Sequence, residues 1–359
     1  MTTERLPGAL RVPALDRLAN FVPYPMPHPH KYPFELDLAH VVGRDAVQAA
    51  LARGAYTCYL LGDVGGIVDP APQRAVVVAM RALTPDGRRY AAAGTPHGGT
   101  LFAYIAGDVV YYHGEAAEYR GQFYTPYRDY DRPIMAIPGN HDGDARDGSL
   151  AGFVDNFCAP YRTPSPLGGS LARPALDQPN VYWTLDAPWL RIVGLYTNVP
   201  EGGIVDDEQQ SWFEAQLMRP RQGKHLVVAL HQPVFSVDRV HGGSSAMFDM
   251  VHRAAKRAGC RLVIAGHAHN YQRFEYDGMT YVVNGGGGYW ELHDLTPPAS
   301  ADALYPVAWH TRDHSLVHLD VAPDRLVARA VAVPLPFDPA AAPPHIVDEF
   351  ALPVTMDSR

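Results

Sequence analysis

Residues 133–142 read PIMAIPGNHD. A short apolar run meets a proline, which cannot donate to a sheet, and gives way to glycine and three side chains of metal-ligand type. The same order recurs four more times. YTCYLL (56–61) is followed by GDVG (62–65), LFAYIA (101–106) by GDVVY (107–111), HLVVAL (225–230) by His231, and RLVIA (261–265) by GHAH (266–269). Runs this continuously apolar suit strands covered on both faces. In α/β proteins ligands gather at the carboxyl ends of such strands, so the pattern places side chains from distant parts of the chain on one rim. A lone GD is an ordinary turn and a lone GNHD an ordinary cap; five clusters in order, each closing a strand, define a site.

Outward from these motifs the chain alternates strands with helices. Further strand-like runs are WLRIVGLY (189–196), TYVVN (280–284), SLVHLDV (315–321) and RLVARAVAV (325–333). AVQAALARG (46–54), DDEQQSWFEAQLM (206–218) and SSAMFDMVHRAAKRAG (244–259) read as helices, the last with serines at its start and Gly259 at its end. Alternation implies an α/β fold, and the closing runs from residue 280 onward imply antiparallel strands, so the sheets are expected to be mixed. Residues 1–54 are expected to form an N-terminal extension, 55–335 the catalytic domain, and 336–359 a proline-rich, irregular C-terminal tail. His28 and His30, in FVPYPMPHPHKYPF, read as exposed loop residues.

The 359 residues carry 30 basic and 38 acidic side chains, a net charge of -8, which argues against a nucleic-acid scaffold or membrane-surface binder. Cys58, Cys158 and Cys260 form no CxxC pair and read as small buried hydrophobes. The first residues hold no continuous apolar segment of the secretory kind and no run approaches membrane-spanning length, so the expected setting is cytoplasmic, without membrane insertion. Walker, HExxH and GxSxG motifs are absent, and Gly285 to Gly288 do not follow the GxGxxG order.

The ordered set GDxG, GDxxY, GNH, a strand-terminal His and GHxH resembles the purple acid phosphatases within the calcineurin-like metallophosphoesterases. The resemblance spans roughly residues 56–290 and extends into GHAHNYQR (266–273) and NGGGGYW (284–290). It implies a four-layer α/β/β/α sandwich with two mixed β-sheets. It also implies that Asp63, Tyr111 and His269 hold one metal ion, that Asn140, His231 and His267 hold a second, and that Asp108 bridges the two. The donor types agree with this partition. A phenol ionises only near pH 10 when unperturbed, so a phenolate ligand calls for Fe(III), whereas amide and imidazole donors suit a divalent Fe, Zn or Mn ion. Most relatives outside the purple branch carry a histidine where this chain has Gly65, which leaves Tyr111 to supply the missing donor; strand alternation turns Tyr112 the other way.

The expected reaction is hydrolysis of phosphate monoesters of small molecules by a metal-bound hydroxide, with a phosphodiesterase acting on nucleotides or phospholipid headgroups as the alternative. His141 and His241 are the candidates for handling charge and protons at the substrate. The glutamate that plant relatives place after the second of these is missing from GGSSAM (242–247). His113 reads as a solvent-facing loop residue. The tyrosine-rich stretch 119–133 is expected to border the cleft as helix and loop.

Overall fold

A computed structural model describes residues 21–83, 99–168, 173–296, 307–335 and 343–353. Residues 1–20 of the expected extension, and 336–342 and 354–359 of the expected tail, lie outside the described set. Two mixed sheets face each other. Eight strands form the first, in the order β1 (Glu35–Asp37), β5 (Trp183–Ala187), β6 (Leu190–Gly194), β7 (His225–Ala229), β8 (Leu262–Ala265), β10 (Met279–Asn284), β9 (Tyr271–Tyr276) and β11 (Val307–Thr311). Six form the second: β14 (His345–Pro353), β13 (Arg325–Ala332), β12 (Ser315–Ala322), β2 (Tyr56–Leu61), β3 (Thr100–Ala106) and β4 (Ile134–Ile137). Helices accompany both, giving the α/β sandwich that the resemblance implies.

All five motif-bearing strands lie in parallel ladders. β2, β3 and β4 pair in parallel in the second sheet, and β7 pairs in parallel with β8 in the first. Their carboxyl ends therefore share one edge of the sandwich. Every residue of β2, β3, β4, β7 and β8 is buried, as the unbroken apolar runs require. The open edge of β4 is closed from across the sandwich: the Gln178 amide donates to the Ala136 carbonyl and accepts from its N–H, both at 2.9 Å, and the Trp183 indole N–H adds a 3.0 Å bond to the same carbonyl.

The helix Asp207–Leu217 starts where the Asp206 side chain accepts from the Gln209 N–H at 2.8 Å. Trp212 and Phe213 on it are buried, and the Trp212 indole donates to the Pro33 carbonyl at 2.7 Å. The helical segment from Ser245 to Arg257 begins at Ser244, contains a π turn at Phe248–His252, and stops before Gly259. The three cysteines are free and buried. Among the described residues no helix is long and apolar enough to cross a membrane.

Two readings need correction. His28 is buried, not exposed; its Nε2 donates to the Cys158 carbonyl at 2.9 Å, so a proline-rich segment is pinned through a histidine. Within the expected irregular tail, residues 345–353 form β14, an antiparallel partner of β13. The tyrosine-rich stretch 119–133 includes a helical turn at Arg120–Tyr124 whose Gln122 reaches Tyr111, while Tyr119, Tyr124, Tyr127 and Tyr130 are buried in the core. Strand β1, within the first 54 residues, also joins the first sheet beside β5.

Asp348 on β14 ties the two sheets together. Its carboxylate accepts from the Arg273 Nε at 2.6 Å, the Arg273 Nη2 at 3.1 Å and the Tyr271 hydroxyl at 2.8 Å, both partners lying on β9. Asp348→Ala leaves a largely buried guanidinium with Glu275 as its remaining carboxylate partner, at 2.7 Å. The expected loss is about 3 kcal/mol in denaturant unfolding; a loss below about 1 kcal/mol would mean the tie contributes nothing to the sandwich.

Candidate metal centre

At the shared edge, strand ends bend abruptly. Asp63, Asp108 and His267 have φ of 58°, 54° and 70°, the left-handed region that side-chain-bearing residues seldom occupy. Such conformations persist where surrounding contacts over-determine them, and they cluster at functional sites. Here the Asp63 N–H donates to the Gly107 carbonyl and the Val64 N–H to the Asp108 carbonyl, each at 3.0 Å, locking two motif loops together. Gly266 allows a close approach: a Cβ there would stand 2.6 Å from Asp63 Oδ2.

Asp63, Tyr111 and His269 converge. The Tyr111 hydroxyl donates to Asp63 Oδ1 at 3.1 Å and stands 3.3 Å from His269 Nε2, which is 3.4 Å from the same carboxylate oxygen. His269 Nδ1 donates to the Glu291 carbonyl at 2.9 Å, which fixes the tautomer and turns Nε2 inward. The Gln122 amide grips Tyr111 on both sides of its peptide, accepting from its N–H at 2.9 Å and donating to its carbonyl at 2.5 Å. Tyr112 is partly exposed and meets the Tyr289 hydroxyl instead, at 3.3 Å.

The second set gathers around Asp108. His231 Nε2 lies 3.3 Å from Asp108 Oδ2 and 2.9 Å from Asn140 Oδ1, while its Nδ1 donates to the Ala106 carbonyl at 2.8 Å. Donor atoms of Asp108, His231 and His267 all fall within 4.8 Å of one another. His267 Nε2 is 3.1 Å from Glu201 Oε2, so Nδ1 is the nitrogen left for an ion. Burial alone would raise the Asp108 carboxyl, but His231, His141 and His267 outweigh it and hold it well below the carboxylate range. Burial acts on His231 the other way, yet Asp108 raises it to about 10.

His141 sits at the mouth with about a third of its side chain exposed, and its Nε2 is 4.0 Å from Asp108 Oδ2. Its Nδ1 bonds the Tyr112 carbonyl at 2.7 Å and its ring packs 4.4 Å from that of Tyr111. His241 lies over His267, with ring centroids 3.9 Å apart. His113 pairs with Asp144 at 3.3 Å, away from the donors.

Four residues escaped the sequence reading. Glu201 joins His267 to His241, whose Nδ1 is 3.3 Å from the same carboxylate. Partial burial raises the half-exposed Glu201 carboxyl, and the two imidazoles more than reverse this, holding it well below its ordinary range. Asp142 is buried and clamps two loops, accepting from the Val109 and Val110 N–H groups at 3.1 Å and the Gly139 N–H at 2.9 Å; burial and Asp108 push it up to about 6 against those three bonds. Asp238 accepts from the His241 N–H at 2.8 Å, and His293, beside Asp238, stacks on His269 at 4.1 Å. Only Asp142 carried a signal, as the last letter of GNHD; the others lie in loops that no motif marks.

The donor sets fit metal ions. One offers a carboxylate, a phenol and an imidazole, the other an amide and two imidazoles, with Asp108 within reach of His231 and His141, and with Nδ1 of His231 and of His269 committed to carbonyls, Nε2 is the nitrogen each turns inward. An α/β sandwich with oxygen and imidazole donors gathered at its strand ends defines a metal-site scaffold. Residues 60–271 match the Calcineurin-like phosphoesterase family, more than half of the chain, and the chain belongs to that family. Purple acid phosphatase 21 of Arabidopsis thaliana is 27% identical over 168 residues, 44% of this chain and 36% of that protein, so the chain spans little over a third of that relative. Among solved structures, the fold is similar to GAP50, the anchor in the inner membrane complex of Plasmodium (TM-score 0.58, 12% identity, 85% of this chain and 90% of that one). It is also similar to purple acid phosphatase PPD1 from yellow lupin seeds (TM-score 0.55, 15% identity, 83% and 53%).

Proposed function

We propose that the chain hydrolyses phosphate monoesters of small molecules at a dinuclear centre. Fe(III) would be held by Asp63, Tyr111 and His269, a divalent Fe, Zn or Mn ion by Asn140, His231 and His267, and Asp108 would serve both. The observation that carries this reading is the approach of Tyr111 to Asp63 and His269, within 3.4 Å, directly beside the Asp108–His231–Asn140 group. When bound, such an ion pair supplies Lewis acidity to a phosphoryl oxygen and lowers the pKa of water near it. The chain's own residues do the rest. With Nδ1 committed to the Tyr112 carbonyl, His141 presents Nε2 toward the donors, where it can hold a proton for the departing alkoxide. His241, steadied by Glu201 and the Asp238 loop, stands beside the proposed ligands His267 and His269.

Comparison of p-nitrophenyl phosphate with bis(p-nitrophenyl) phosphate on metal-loaded protein tests the substrate class. Higher kcat/KM on the monoester is expected; preference for the diester would replace this reading with a phosphodiesterase on the same donors. Turnover of neither after full metal loading would leave a family member that binds without catalysing.

Glu201 accepts from a proposed ligand, and loss of such an outer partner typically costs roughly 10–100-fold in metal affinity or activity. Glu201→Gln is expected to weaken retention of the divalent ion by about tenfold, read by metal analysis after dialysis against a graded chelator. Retention equal to wild type would remove Glu201 from the supporting shell.

A further inference from the structure

The opposite end of the second sheet holds a different kind of site. A cavity of about 450 Å³ opens there, lined by residues 128–134 at the start of β4 together with Phe123, Phe157, Arg162, Arg173 and Leu176. Its wall includes Pro133 and Ile134, whereas Asn140 follows the other end of the same strand, so the cavity and the candidate metal centre lie at opposite edges of the sandwich.

Four arginines reach this cavity, and their partners differ. Arg128 and Arg132 pair with Asp129 and Asp131 at 4.0 and 3.4 Å, both carboxylates being mostly exposed. Arg162 donates to the backbone carbonyls of His40 and Val41 at 3.0 and 2.8 Å. Arg173 is the unusual one. Its guanidinium donates to the carbonyls of Arg132 at 3.0 Å, of Tyr127 at 3.1 Å and of Tyr130, and its buried Nε has no hydrogen-bond partner. No carboxylate hydrogen-bonds to it among the described residues. Burial lowers its affinity for the proton, the nearby tyrosines and Asp131 only partly opposing this.

A guanidinium withdrawn from water without a counter-ion is costly, and proteins usually meet the cost with an anion. Two acidic side chains against four arginines leave the lining net positive. Arginine's planar fork matches the oxygens of phosphate better than lysine's point charge does. Phe123, Phe157, Ile134 and Leu176 supply an apolar wall beside the charge, and 450 Å³ lies within the size range of small-molecule sites, well above what a bare phosphate needs.

We infer that this arginine-lined cavity is a second, non-catalytic binding site for a small organic phosphate, its anionic group held by Arg132 and Arg173 and its organic part against Phe123 and Phe157. The site does not depend on the metals or on the reaction proposed above.

Phenylphosphonate, an aromatic phosphate mimic that phosphoesterases cannot cleave, is the probe. Calorimetric titration of the full chain carrying His231→Ala, which removes a proposed metal ligand, is expected to retain one binding event per chain. Adding Arg173→Met is expected to weaken that event at least tenfold. Because Arg173 also caps three carbonyls and its loss can compromise folding, the Arg128→Ala/Arg132→Ala pair in the same background provides a second arm, with the same weakening expected. Absence of binding in His231→Ala protein, or binding unchanged in the folded arginine variants, would overturn the inference. A proposal failing at the metal centre leaves these outcomes untouched, since none reads turnover.

Discussion

His231→Ala is expected to lower phosphoester turnover by more than about 100-fold while the protein stays folded. The ring is fully buried and makes three contacts: Nδ1 to the Ala106 carbonyl, Nε2 to Asn140 and Nε2 to Asp108. Losing an outer-shell partner already costs roughly 10–100-fold, and a direct donor should cost more. On the stability side the change strands the Ala106 carbonyl, worth about 1–3 kcal/mol, against a usual domain stability of about 5–15 kcal/mol. Thermal melting, metal content and kcat on an aryl phosphate separate the two effects. Turnover within tenfold of wild type would take His231 out of the centre, and with it the partition of donors argued from Asp108.

Much of this site was legible because strand ends are written in local sequence. Each motif follows a run of four to seven apolar residues that forms a fully buried parallel strand, and parallel pairing forces the ends of β2, β3 and β4 together. The choice of Tyr111 over Tyr112 was also local, since neighbouring side chains leave the backbone in different directions. What the sequence hid has a common cause. Glu201, Asp238 and His293 act through loops whose positions depend on long-range contacts, such as Ser244 Oγ donating to the Gly202 carbonyl or the Arg239 N–H to that of Asp294. Of the strands that were missed, β1, β5, β9, β11 and β14, two show why. β9 carries Arg273 and Glu275 and alternates in burial, and β14 is an edge strand half open to solvent, so neither shows the continuous apolar run by which the inner strands were found. His28 looked like a loop histidine because its two carbonyl acceptors lie 130 and 131 residues away in the chain.

The sharpest test of the Fe(III) assignment is Tyr111→Phe. Among the described residues the hydroxyl reaches only Asp63 Oδ1 and His269 Nε2, while the ring packs against Tyr289 at 4.2 Å and His141 at 4.4 Å, contacts a phenylalanine keeps. Burial, with Asp63 and Asp108 adding to it, pushes this phenol well above its ordinary range. A phenolate here therefore needs a strong Lewis acid at the oxygen, and ionised tyrosine on Fe(III) absorbs visible light. Iron-loaded wild-type protein is expected to be coloured and the variant colourless at equal iron content, with denaturant stability changed by no more than about 1.5 kcal/mol for the lost hydroxyl contact. The comparison is independent of substrate choice. Colour retained in Tyr111→Phe would assign the absorbing ligand elsewhere and remove the reason for placing the harder ion beside Asp63 and His269; colourless wild-type protein at full iron loading would do so just as directly.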